Sequence, residues 1–276
     1  MQLASLETSR QRRIYEELRT ALASRDLDMA AWAGRAVRTL ARVLARRSVN
    51  FGRLVGWAAK GAGMEAAALA RAVMTGRIAQ HLGARAGAGV SAAADAAQGA
   101  WRFIATASRA IANNPGEAAP GVIGVILGFF AGSGGLDGDG GVPDLDFLAG
   151  IGAHRSIFTH SILAGAVLET SLLAASDLAN LVIDCLPRNH DPLWDALQAQ
   201  HGRIAGAFAR GASRGIGYHL MVDACIQPAA YKDLPFEAQI ELHQTLMAAN
   251  AAAEVADAVA RPRRGRGVDV GNKETR

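Results

Sequence analysis

Cysteine is scarce in this chain. Cys185 and Cys225 stand forty residues apart and form no CxxC pair. That spacing excludes a disulfide framework and a thiolate zinc site, and it suits a reducing compartment. Aromatic residues are also few, at 5% against 50% hydrophobic overall, so alanine carries much of the apolar content. Alanine is the strongest helix former, and β-branched runs are thin. The expected fold is all-α, a multi-helix bundle with a helical N-terminal extension. The opening segment, MQLASLETSRQRRIYEEL, lacks the apolar stretch of a signal peptide, so a cytoplasmic location is expected, with inner-membrane association as a variant.

Each half of the chain is short of one sign of charge. Net charge is +10 over residues 1–110, −9 over 111–261 and +3 over 262–276. The Asn/Pro/Gly cluster at 112–121 falls at this change and marks a boundary. Three units follow: a basic, Ala/Arg-rich helical region (1–111), an acidic helical region (112–261), and a basic tail (262–276) with a disordered composition.

In the first unit, Val37, Leu40 and Leu44 share one face of a helix over 32–47. Arg35, Arg38, Arg42 and Arg46 form a stripe on the opposite face, which is either a solvated surface or a contact for anionic membrane. Nucleic acid fits less well, because no aromatics are interleaved with the arginines. Residues 83–100 read as a small-residue loop followed by a helix. Uncharged residues 118–136 approach the length of a membrane span, although Pro120 and the glycines favour a buried core helix. Gly124, Gly128 and Gly132 lie four apart on one face, a spacing that admits close approach of another helix or of a second copy. Further helices are expected over 156–186 with Ser156 as N-cap, through 193–210, from 215 to 226 after two glycines, and over 236–260. Asp191 and Pro192 give the start of the 193–210 helix.

The acidic unit gathers six side chains that ligate metals well. Asp144 and Asp146 alternate in PDLD, His154 and His160 bracket RSIFT, and His219 and Asp223 are an i,i+4 pair on one helix face. Carboxylate and imidazole together suit a divalent cation, zinc or manganese first. Each residue also has an ordinary role: turn former, packed histidine, helix ion pair. Their concentration among glycine and apolar neighbours is what favours a shared cation, because unpartnered buried charge is costly.

These motifs, GGVPDLD, HRSIFTHS and GYHLMVDA, resemble the LexA-binding, inner-membrane-associated metal-dependent hydrolases. The likeness covers about 140–225. It implies Asp144, Asp146, His154, His160, His219 and Asp223 as metal ligands and a hydrolase activity. From the residues themselves, the expected proton acceptor is whichever of Asp144 and Asp146 is not fully engaged in ligation, Asp146 first. Arg155, placed before a helix starting at Ser156, is the expected anion contact, which points to a phosphate-containing substrate, lipid or nucleotide. Ser161 serves the helix rather than acting as a nucleophile. Two other patterns compete. The segment 136–146 is acidic and glycine-rich but breaks the EF-hand order. His160, His190-Asp191 and Asp223 follow the order of HD-type phosphohydrolases. The non-enzymatic alternative is a membrane-associated or pore-forming protein with a structural metal site.

Overall fold

The computed structural model describes residues 2–150, 154–226, 229–234 and 237–260. The basic tail, 262–276, lies outside the described residues. Among those residues the chain is all-α: α1 (Gln2–Leu22), α2 (Met29–Met74), α3 (Ile78–Asn113), α4 (Pro115–Ser133), a 3₁₀ segment (Pro143–Ala149), α5 (Ile162–Asp184), α6 (Pro192–Cys225) and α7 (Ile240–Ala260).

The centre is the pairing of α4 with α6. Gly124 meets Ala207 and the Ile204 carbonyl, Gly128 meets the Phe208 carbonyl, and Gly132 meets Ala212 and Ile216. From the other side, Gly211 and Gly215 press on the Val125 and Phe129 carbonyls. Two glycine rows thus face each other and let the backbones touch. This corrects two expectations. The α4 glycines are covered by α6 of the same chain, not by a second copy. The glycines at 211–217 do not separate two helices. They lie inside one continuous α6, buried where α4 and α7 come close, so packing overrides their low helix propensity.

Other departures have the same origin. Residues 83–100 are helical throughout, inside α3, so no loop forms there. On α2 the inward face is rotated from the expected one. Val37 is 68% exposed, while Val43 and Arg47 are buried. The cause is ionic. Buried Glu169 on α5 and Glu254 and Asp257 on α7 draw Arg46 and Arg47 inward. The arginine stripe is therefore divided: Arg35 pairs with Asp177 at 2.8 Å and Arg46 with Glu169 at 2.6 Å, while Arg38 and Arg42 stay exposed.

Two helices, α4 and α5, are long and apolar enough to cross a membrane. Arg35 and Arg46 place α2 alongside α5, and Arg38 and Arg42 lie between those two contacts. Exposed arginines level with the middle of α5 would be costly in hydrocarbon.

Far from these contacts, α1 is fastened to the start of α6. Arg10 binds Asp191 through two hydrogen bonds of 2.9 Å, and Glu17 accepts from Trp194 Nε1 at 2.9 Å. Asp191 is the N-cap of α6, with Pro192 in its first turn, as the sequence predicts.

Candidate metal centre

The opposite end of α6 carries His219 and Asp223. The glycine-rich loop after α4 and the turn before α5 bring the other four residues to them. Gly140 (φ +86°) and Gly141 (φ +82°) adopt left-handed backbone that other residues rarely take. A side chain on Gly141 would collide with Ser133 and Gly134. This tight return carries the 3₁₀ segment across the end of the α4–α6 pair. There Asp144 and Asp146 point inward and Leu145 outward.

The turn 154–161 is built by side chains. Asp146 Oδ2 accepts from Ser156 N (3.0 Å) and Thr159 Oγ1 (2.7 Å). Asp233 accepts from Ile157 N (2.8 Å) and from the Ser156 hydroxyl (2.7 Å). Ser161 then caps α5, which begins at Ile162. The expectation of a helix N-terminus at Ser156 is thus corrected: its free amides are taken by two aspartates before the helix begins. Arg155, the residue meant to precede that N-terminus, sits at φ +66° and bonds Asp223 Oδ1 at 3.2 Å.

All six residues singled out from the sequence meet here. His160 Nε2 lies 3.6 Å from Asp144 Oδ1 and 3.5 Å from Asp223 Oδ2. His219 Nε2 lies 3.7 Å and 3.5 Å from the same two oxygens. His154 Nδ1 is 3.4 Å from both Asp144 Oδ1 and Asp146 Oδ1. Asp144, His160 and His219 form one group with metal-binding spacing, and Asp146, His154 and His160 a second.

Four atoms stand out: Asp144 Oδ1, His160 Nε2, His219 Nε2 and Asp223 Oδ2 are buried and make no hydrogen bond. Buried polar atoms are rarely left so. Their neighbours explain the orientation. His219 Nδ1 faces the Ser133 carbonyl at 3.4 Å, which requires the proton on that nitrogen. Thr159 Oγ1 donates to Asp146, so its lone pair faces His160 Nδ1 at 3.0 Å and places the proton there. Both Nε2 atoms are then bare lone pairs aimed at two carboxylate oxygens, an arrangement that repels unless a cation lies between. A tetrahedral ion with bonds of about 2.0–2.1 Å holds its donors about 3.3–3.4 Å apart. The four histidine–aspartate edges found here, 3.5–3.7 Å, are slightly longer than that. The cluster can hold a metal ion.

Burial works against ionisation of Asp144, but the neighbouring His160 and His219 rings and the Gly140 amide outweigh it and hold the carboxyl below its ordinary value. Burial likewise opposes, and Thr159, the Ser156 amide and His160 outweigh it, at Asp146. Desolvation alone would depress His219, yet Asp223 and Asp144 raise it.

The HD-type alternative is excluded by geometry. Asp191 begins α6 and Asp223 lies near its end, roughly 48 Å away along the helix. His190 bonds Asp195 and the Pro187 carbonyl instead. In the acidic loop, Asp137 Oδ1 accepts from Asp139 N and closes a local turn. Ser156, expected as a helix cap, and Thr159 of the HRSIFTHS motif act instead as supports of Asp146; the supports that the sequence did not single out are Asp233 and Tyr231, whose hydroxyl donates to the His160 carbonyl at 2.7 Å. Asp233 and Tyr231 carry no spacing signal, because they act from a loop more than seventy residues away.

Compared with protein-family models, curated proteins and solved structures, the chain matches none.

Proposed function

We infer that this protein is a metal-dependent hydrolase of phosphoesters. The observation that carries the reading is the set of four buried, unbonded atoms on Asp144, His160, His219 and Asp223. Those residues would hold the ion, zinc or manganese by donor chemistry. A divalent ion there supplies Lewis acidity and a water of lowered pKa.

The chain's own residues have separable tasks. Asp146 has one oxygen committed to the 156–159 turn, and its other oxygen faces His154. The Asp146–His154 pair is therefore the proton acceptor, with the carboxylate orienting the ring. The His154 side chain is 17% exposed, the most open of the three histidines in the cluster. Phe147 stacks on it at 4.0 Å and fixes its plane. Arg155, half-buried with its Nε unbonded, is the group for a phosphate oxygen. The apolar character of α4 and α5 supports work at or near a membrane.

One observation favours the non-enzymatic alternative. Four protein donors close a four-coordinate ion, as in structural zinc sites, whereas catalytic sites keep a position open. A five- or six-coordinate ion such as manganese keeps one. Elemental analysis and turnover of a chromogenic phosphodiester, with zinc and with manganese, decide between them. Hydrolysis that is lost in Arg155→Ala and His154→Ala while metal content is retained supports the enzyme. Stoichiometric metal with no turnover under either ion identifies a structural site.

A further inference from the structure

Beyond Asn50, α2 leaves the bundle. Its last stretch to Met74 is roughly 36 Å long. α3 folds back beside it, joined near the tip by Glu65, which accepts from Arg85 and pairs with His81. This two-helix arm is opposite in charge to the acidic, closely packed unit that follows it in the chain. Residues 50–113 carry seven lysines and arginines against two acids, net +5.

The arm also leaves its larger apolar side chains uncovered. Leu69 and Val73 stand one turn apart on α2, at 42% and 55% exposure. Ile78 with Leu82, and Trp101 with Ile104, do the same on α3, where Trp101 is 68% exposed. Arg53, Lys60, Arg71, Arg77, Arg102 and Arg109 are exposed among them. An arm built only to bind nucleic acid has no use for uncovered leucine and tryptophan. One built only as an apolar dimer face has no use for six exposed cations.

We propose that the α2–α3 arm, residues 50–113, is a docking element for an anionic lipid bilayer. Apolar side chains enter the acyl boundary while the arginines and lysine reach the headgroups, the manner of interfacial helices. The charge division orients the molecule, because the basic arm is drawn to the surface and the acidic unit is repelled from it. This moves the membrane contact off the arginine stripe, where Arg35 and Arg46 are spent on internal partners. The docking is independent of any metal chemistry.

The test is flotation of the full chain with phosphatidylcholine vesicles, with and without phosphatidylglycerol. Circular dichroism and metal content serve as checks that each variant is folded. Wild type floats with the anionic vesicles. Arg102→Gln with Arg109→Gln weakens that binding by about 30-fold, at about 1 kcal/mol per charge near the surface. Trp101→Ser weakens it by about tenfold. Arg38→Gln with Arg42→Gln leaves it within about threefold, less than one full charge contact. The proposal is overturned by equal binding to neutral vesicles, or by a larger effect from Arg38 and Arg42 than from Arg102 and Arg109. It is also overturned by a protein that ignores vesicles and instead binds duplex DNA or dimerises through the arm.

Discussion

Two buried charged clusters lie inside this bundle, and they differ in where their cations come from. At the α2–α5–α7 contact, Arg46 and Arg47 meet Glu169, Glu254 and Asp257, and the chain provides both signs. Arg47 also donates to Ser213 Oγ at 3.1 Å and faces the Ile162 carbonyl at 3.5 Å. At the end of α6, three aspartates face three histidines and one arginine, and five atoms, Arg155 Nε among them, are left without bonds. In the first cluster every carboxylate has an arginine partner. In the second, donor atoms of both histidines and carboxylates converge with the spacing of a metal site. Buried acidity alone therefore does not identify a site. Unsatisfied donor atoms converging on one point do.

Removing the internal cation should do the most damage. Arg47→Met takes the arginine from Glu254 and leaves Glu169 with Arg46 alone, and breaking a buried pair from one side costs about 3–5 kcal/mol. Urea unfolding reads this as a fall in midpoint with little change in slope. A loss below about 1 kcal/mol would mean that the carboxylates accept protons or water, and the contrast between the clusters would fail.

Removing the external cation should cost slightly less, and reversibly. A ligand at 100 to 1,000 times its Kd stabilises by about 2.7–4.1 kcal/mol. Chelation should lower Tm accordingly, metal should restore it, and His219→Ala should make the protein indifferent to both. Chelation should leave the Arg47→Met defect unchanged, because separate clusters add.

The gap between loaded and chelated protein should also depend on pH. In the metal-free protein Asp223 and Asp144 raise the pKa of His219. That contribution is fully present below the unfolded pKa of about 6.5 and is lost as pH rises through the raised folded value. The loaded protein holds the ring neutral, so protons compete with the metal. The difference in Tm should widen from pH 6 to pH 8. A constant difference would remove His219 from the ligand set.

Much of the cluster was legible because its members come in short local motifs. Asp144 and Asp146, His154 and His160, and His219 with Asp223 are each fixed by spacing within one turn or helix, and all six converge. What could not be read was the set of long-range choices. Ser156 looks like a cap, but Asp146 and Asp233 claim its surroundings and Ser161 caps instead. Glycines 211–217 look like a break, yet their role is set by α4 more than eighty residues upstream. The arginine stripe is periodic in sequence, and only the buried acids of α5 and α7 decide which of its members turn inward.

The smallest effect concerns a third charged contact, intermediate between the other two. Arg10 and Asp191 form a complete pair at the far end of α6, but Arg10 is largely exposed. The Arg10 hydrogen bonds and the Leu193 amide lower the Asp191 carboxyl to about 2. A lowered folded pKa contributes stability that is fully present above the unfolded value of about 3.9 and lost as pH falls toward 2. Within that window α1 should release from the start of α6, seen as rising Trp194 solvent exposure, because Glu17 holds that indole in the same contact. Asp191→Asn removes the titrating carboxyl, so Trp194 should be more exposed already at neutral pH with a smaller change on acidification, while Arg10→Gln should only move the release to higher pH, because the Leu193 amide still bonds the carboxylate. If Trp194 stayed quiet until the whole bundle unfolded, α1 would belong to the cooperative core and this pair would rank with Arg47.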